Sequence, residues 1–316
     1  MDDAVASFPT LLRHDPERGV ETPPAWVREL LGVPPEAWKP VDRLMSAQTG
    51  RSSEFMLVSV RVADALSMEP ADFTSMTTQA YELICDSLNE HRGFSLIRVW
   101  NFIPRILDPL GHVPQRYIAF NAGRFAAYER AYVTKDAFSK MVATASGVGN
   151  FGPDLTIHGL ASSDSSSPVE NPRQVPAYRY SEKYGPLPPC FARATRVETS
   201  RGTWLLAGGT ASVRGEDSRH DDDLEAQTAE TLVNMAALVA VGEGDSSAVE
   251  SSVSDRNRLL GRFRHLRVYH RRREDSAFVE ERLPGEFAGA TTIEFAMADL
   301  CRPSLLIEIE GLAQLS

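Results

Sequence analysis

The stretch Leu305–Ala313 reads Leu-Leu-Ile-Glu-Ile-Glu-Gly-Leu-Ala. Apolar and acidic residues alternate with period two, so Glu308 and Glu310 point to one face of a strand and Ile307 and Ile309 to the other. Two carboxyl groups side by side resist ionising together. If one also lies in an apolar pocket, it keeps its proton to a higher pH and can act as a general acid. The competing reading is an edge strand with a solvated acidic face. A second candidate is Gly209-Thr210-Ala211-Ser212, after an apolar strand. Its small residues let a ligand approach the backbone closely, and a tight turn is the alternative. The seven histidines show no HxxxH or HxH spacing, so no metal site is expected. Gly147, Gly149 and Gly152 do not form a dinucleotide fingerprint, because no helix follows at the required spacing.

The composition of the 316 residues is that of a globular protein, 42% hydrophobic and 24% charged. This length suits one large domain or two medium ones. A net charge of −10 argues against nucleic acid as a partner. Lysine occurs only at positions 39, 135, 140 and 183, so arginine supplies most of the cations. That suits planar, bidentate carboxylate recognition, and a high-GC genome gives the same bias. Cys85, Cys190 and Cys301 lack CxxC spacing, which suggests reduced thiols and a cytoplasmic protein. The opening Met-Asp-Asp-Ala-Val lacks a basic signal-peptide region, and no run approaches the ~18 apolar residues of a membrane span.

The elements that must position these residues follow from periodicity. Residues 1–50 are proline-rich and read as an arm wrapping the first domain, with a short helix over 25–31 stopped by Gly32. Strands are expected over 54–62, 94–103, 139–146 and 155–161, and helices over 70–90 and 115–132. A glycine-rich connection spans 147–152. Residues 162–175 are polar and read as the domain boundary. This places a first domain at 51–165 and a second at 166–316. The second half offers strands over 192–199, 203–213, 259–270, 291–298 and 305–313, with helices over 221–241 and 274–287.

The halves repeat one another. Helix 70–90 matches 221–241, Leu96–Trp100 matches His265–Tyr269, and Leu155–Ala161 matches Ile307–Ala313. Each half reads as an α+β sandwich with helices on one sheet face. Thr156 and His158 stand where the second half has Glu308 and Glu310, so the acidic pair is not required to build the strand.

The second half resembles the Rid (formerly YjgF) fold, and the chain from about residue 50 onward resembles a chorismatase, a tandem of two Rid-like halves. The resemblance rests on Pro172–Tyr178, Tyr184-Gly185-Pro186, Phe191-Ala192-Arg193-Ala194, Gly209–Ser212, Ala298–Arg302 and Glu308–Gly311, in that order. It implies two tandem Rid/YjgF-like, chorismate-mutase-like α/β sandwich halves forming a pseudo-trimer-like core, with the site on the second half. The implied reaction splits the enol ether of chorismate into pyruvate and 3-hydroxybenzoate, with some 4-hydroxybenzoate. Hydrolysis to a dihydroxycyclohexadiene carboxylate and a non-catalytic carboxylate sensor are the alternatives. A Rid-type deaminase is disfavoured, because the arginine that reaction uses would fall near Ala290.

The resemblance assigns Glu308 as proton donor, and Glu310 as its alternative or as a neighbour sustaining the raised pKa within the substrate site. Arg193 and Arg124 are candidates for holding the two substrate carboxylates. Tyr180, Lys183 and Tyr184 sit in a loop that can cover the ring. Gly209, Thr210 and Ala211 border the substrate, and Cys301 marks the hydroxybenzoate-forming branch. No cofactor, nucleic acid or membrane is implied, and the enzyme is expected to be monomeric.

Overall fold

The computed structural model describes residues 8–132, 135–245 and 253–316. The opening Met-Asp-Asp-Ala-Val lies outside them. No helix among the described residues is long and apolar enough to cross a membrane.

The chain begins with β1 (Thr10–Arg13), α1 (Ala25–Leu31), β2 (Lys39–Pro40), β3 (Met45–Arg51) and β4 (Phe55–Val62). Then come α2 (Pro70–Asn89), β5 (Ser95–Pro104), α3 (Arg116–Ala131), α4 (Lys135–Met141), β6 (Thr144–Asn150) and β7 (Leu155–Ser162). The second half supplies β8 (Ser165–Val169), β9 (Ala194–Thr199), β10 (Gly202–Ala211), β11 (Val213–Arg214), β12 (Asp217–Ser218) and α5 (Leu224–Gly242). It closes with α6 (Val253–Leu260), β13 (Phe263–His270), α7 (Ser276–Glu286), β14 (Thr292–Met297) and β15 (Ile307–Gln314).

Two sheets result. One runs β2-β3-β4-β7-β5-β6 and the other β8-β9-β10-β15-β13-β14-β1. Strand for strand, β3, β4, β7, β5 and β6 occupy the places of β9, β10, β15, β13 and β14. The internal repeat is therefore a repeat of topology.

Burial explains the layering. In β4, Met56, Val58, Val60 and Val62 pack with Phe73, Ala80, Tyr81 and Ile84 of α2. On the other face Phe55 and Leu57 join Trp100, Leu160, Leu206, Tyr269 and Leu312 in a core shared by the two sheets. In β15, Ile307 and Ile309 pack under Met235 and Val239 of α5. Because alternate residues point to opposite faces, Glu308 and Glu310 lie on the side that faces the other half. They are not on a solvated edge.

Several expectations need correction. Residues 139–141 are the end of α4, and the strand starts only at Thr144. The glycine run is not a connection, since β6 continues to Asn150. There the Gly149 amide donates to the Asp299 carbonyl at 2.7 Å, and a Cβ on Gly149 would stand 3.0 Å from Asp299 and Ile106. Residues 165–169 of the expected connection form the edge strand β8. The arm does not wrap the first half alone, because β1 pairs in parallel with β14 of the second.

The pairing of Leu96–Trp100 with His265–Tyr269 is displaced by two residues. Trp100 lies opposite His158, and Arg267 lies opposite Glu310, so Trp100 matches Arg267 and Arg98 matches His265. A slip of two leaves every side chain on the same face, so alternation cannot detect it.

Candidate active site

A cavity of about 1090 Å³ opens between the two halves. From the first half, α3 contributes Tyr117, Asn121 and Arg124, and β6 contributes Ser146. From the second half come Tyr180, Lys183, Tyr184, Arg193, Gly209, Ala211, Cys301, Arg302 and Glu308. The expectation of a site on the second half alone is thus revised: the site is shared.

Glu308 is only 4% exposed, and its Oε1 has no hydrogen-bond partner. Burial, followed by the nearby Glu310 carboxylate, pushes its pKa up to about 8, against the opposing pull of Arg98 and Arg193. It is therefore protonated at neutral pH.

Glu310 is 1% exposed and fully engaged. Arg98 Nη2 donates to Oε2 at 2.5 Å, and the Ser146 hydroxyl donates to the same oxygen. Trp100 Nε1 and the Tyr269 hydroxyl donate to Oε1 at 3.0 and 3.1 Å. A carboxyl group with four donors is held firmly in place. This corrects its assignment as a substrate contact. Glu310 does not line the cavity, and it acts on Glu308 through its charge.

The close approach of β10 depends on a bulge. Ala207 pairs with Gly311 and Thr210 with Ile309, so three steps on β10 oppose two on β15. The Gly209 amide donates to Ser146 Oγ at 2.9 Å. A Cβ on Gly209 would lie 2.0 Å from Glu308 Oε1, so no larger residue fits while the carboxyl stays put. The extra residue also shifts the alternation. Gly209 and Ala211 reach the cavity, whereas Thr210 does not line it and its hydroxyl donates to the Gly208 carbonyl at 2.9 Å. The expected substrate contact by Thr210 is thereby removed.

Two buried arginines line the cavity without a carboxylate partner among the described residues. Arg193 Nη2 donates to the Tyr180 hydroxyl at 2.5 Å and to the Val175 carbonyl at 3.0 Å. Arg124 Nη2 donates to Asn121 at 2.8 Å, and its guanidinium lies over Phe120 and Phe191. The Nε of each is buried and unpartnered. Such cations suit an anionic ligand.

Tyr180, Lys183 and Tyr184 do come together at the rim, though Lys183 is already paired with Asp217. Cys301 borders the cavity as a neutral thiol, since burial, with Glu308 nearby, raises its pKa to about 11. It can shape the cavity, in keeping with its reading as a marker of product choice, but it is no nucleophile and no acid for this chemistry.

Sequence reasoning missed Arg98, Ser146, Tyr117, Asn121 and Arg302. Arg98 left a signal, a charge inside the apolar strand Leu-Ile-Arg-Val-Trp. Ser146 left none, because its role depends on which strand of the other half it meets.

Residues 40–161 match the N-terminal domain of FkbO/Hyg5-like chorismatases. A 3-hydroxybenzoate synthase from Streptomyces hygroscopicus is 34% identical over 244 residues, covering 76% of this chain and 69% of that protein. A chorismatase from Streptomyces rapamycinicus is 29% identical over 246 residues, 77% of this chain and 71% of the relative. The crystal structure of a chorismatase superposes with a TM-score of 0.72 at 26% identity, covering 88% of this chain and 80% of the other.

Proposed function

This chain belongs to the chorismatase family, and we propose that it splits the enolpyruvyl ether of chorismate into pyruvate and 3-hydroxybenzoate with Glu308 as the general acid. The observation that carries this reading is the Glu308 carboxyl, which faces the cavity and keeps its proton up to a pH of about 8. An enol ether is activated by protonating its methylene carbon, and that requires an acid still loaded at neutral pH.

The proton adds to the methylene carbon, which becomes a methyl group, and positive charge develops on the ether carbon and oxygen. The neighbouring ring hydroxyl oxygen then attacks the ring carbon that bears the ether, and pyruvate departs with the bonding electrons. The Glu308 carboxylate, now ionised, takes the hydroxyl proton. The ring rearranges to the aromatic acid, with no net gain or loss of water. In the hydrolytic alternative, water captures the cation and the non-aromatic diol results. Cys301 and Gly209 border the cavity where this choice is made, and the likeness to a 3-hydroxybenzoate synthase supports the aromatic product.

In this reading Arg193 and Arg124, whose guanidinium groups both lie against the Phe191 ring, hold one substrate carboxylate between them, and Tyr180, Lys183 and Tyr184 cover the ring. The two Rid-like domains span about 39–164 and 165–316, with 1–38 as the arm, since β2 and β3 pair into the first sheet and β8 into the second. The three free cysteines support a reducing, cytoplasmic setting. The enzyme acts as a monomer on chorismate alone.

The test is pyruvate release from chorismate in a lactate dehydrogenase-coupled assay, with chromatography of the aryl product against standards. Absence of pyruvate would overturn the activity. A diol as the sole product would overturn the branch and leave the acid role of Glu308 standing.

A further inference from the structure

Arg302 follows Cys301 in the connection between β14 and β15 and lines the shared cavity. Its guanidinium carbon lies 3.8 Å from the centre of the Tyr184 ring and 5.4 Å from that of Tyr180. Its Nη1 donates to the Glu216 carbonyl at 2.8 Å and to Ser218 Oγ at 3.2 Å. All of these partners are uncharged. Nε and Nη2 make no hydrogen bond, and no carboxylate pairs with Arg302, among the described residues.

An arginine without a counter-ion is common on a surface. This one is held at the wall of a cavity by three separate segments: the loop bearing Tyr180 and Tyr184, the β11–β12 hairpin, and its own connection. That pinning takes away much of the rotamer freedom that a flexible arginine would lose on binding an anion. Stacking on tyrosine leaves the edge of the guanidinium fork available for a planar acceptor. Arg193 lies 5.5 Å from the centre of the same Tyr180 ring. One tyrosine therefore links two cations of the cavity, and a rigid pair of cations suits a ligand with two carboxylates.

We propose that Arg302 is a specificity-determining residue that binds the second carboxylate of the substrate, so that the site selects dicarboxylates over monocarboxylates. The proposal rests on the chorismatase reading for the identity of the dicarboxylate, though not for the discrimination itself. It has a consequence for turnover. Cleavage separates the two carboxylates onto pyruvate and the aryl acid, so neither product can span Arg193 and Arg302, and both leave more readily than the substrate.

The test compares two probes by calorimetry, 3-(carboxymethoxy)benzoate as a non-reactive dicarboxylate and 3-hydroxybenzoate as a monocarboxylate. Arg302→Gln should weaken the dicarboxylate about tenfold or more and the monocarboxylate by less than about twofold, consistent with loss of a charge-assisted bidentate contact. In steady state KM for chorismate should rise by a larger factor than kcat falls. Arg302→Lys, which keeps the charge but loses the fork, should recover part of the discrimination. Equal weakening of both probes by Arg302→Gln would show a purely structural role in holding the loop and overturn the proposal, as would no weakening of either. If the wild-type protein releases no pyruvate while the discrimination still depends on Arg302, the chorismatase reading fails and the proposal stands.

Discussion

Where β15 carries Glu308 and Glu310, β7 of the first half carries Thr156 and His158, and the surroundings correspond with the halves exchanged. Glu310 meets Arg98, Trp100 and Ser146 of the first half. By register, Trp100 and Ser146 correspond to Arg267 and Glu294 of the second. In this related cleft Arg267 donates to Glu294 through Nε and Nη2, at 3.0 and 2.6 Å. The arm fills the remainder. The Ala25 amide reaches Glu294 at 2.7 Å, His14 Nε2 lies 3.0 Å from the same carboxylate, and Arg267 Nη1 donates to the Thr22 carbonyl at 2.7 Å. His158 Nε2 donates to the Glu21 carbonyl at 2.9 Å, and burial lowers its pKa to about 4.

One scaffold has thus produced two unlike clefts. In the cleft filled by the arm, the Glu294 carboxylate is matched by Arg267, His14 and the Ala25 amide. In the open one, the Glu308 acid faces the cavity beside Arg124, Arg193 and Arg302, and among the described residues no carboxylate pairs with any of the three arginines. The lesson is that function here lies in what is left unsatisfied, because an unpartnered buried group is costly and is retained where a ligand completes it.

The largest expected effect tests the acid. Glu308→Gln keeps the shape but cannot donate the proton, so kcat for pyruvate release should fall ~10²–10⁴-fold. Thr156→Val, its counterpart in the closed cleft, should leave kcat within about twofold. Comparable losses in both variants would erase the distinction between the clefts.

The bulge comes next. Gly209→Ala places a methyl where Glu308 Oε1 now sits. A displaced carboxyl should lower kcat by ~10²-fold, the scale of a 1 Å misplacement. Adding Cys301→Val should move residual product toward the diol. Unchanged turnover in Gly209→Ala would mean that the carboxyl is free to relocate.

The third test is pH. Glu308 must be protonated in the free enzyme, so kcat/KM should hold through neutrality and fall as pH rises through about 8. Glu310→Gln removes the carboxylate that disfavours ionisation of Glu308, so the fall should move to lower pH. It also leaves Arg98 buried without its partner, at a cost of ~3–5 kcal/mol, so the profile should be recorded well below the melting temperature. A profile that stays where it was would remove Glu310 from control of the acid.

The smallest catalytic effect belongs to the closed cleft. Burial opposes ionisation of Glu294, yet His14, Arg267 and the Ala25 amide together hold its pKa down at about 2. A depressed carboxyl stabilises the fold above its unfolded pKa near 4.5 and loses that contribution as pH falls toward 2. Glu294→Gln should cost about 3 kcal/mol at pH 7 and much less at pH 2, while kcat at pH 7 stays within about twofold. A large loss of kcat in a well-folded Glu294→Gln protein would join the two clefts functionally.

Much of this arrangement was legible in the residues alone. Pro23-Pro24 before Ala25 and Gly32 after Leu31 bounded α1, with Gly32 at φ 66° in the left-handed region that glycine enters freely. Apolar spacing found α2 and α5, and alternation placed Glu308 and Glu310 on one face. These features are local, and the periods of helix and strand are fixed by backbone geometry. Tertiary structure decided the rest. It set which half faces the acidic pair, brought Arg98 and Ser146 to Glu310, and turned Thr210 away through a bulge. It also chose between registers two residues apart, and it laid the arm into one cleft while the other stayed open. Alternation fixes the face of a side chain, but its partner across the sheet is set by packing between segments distant in sequence. No local pattern encodes that choice.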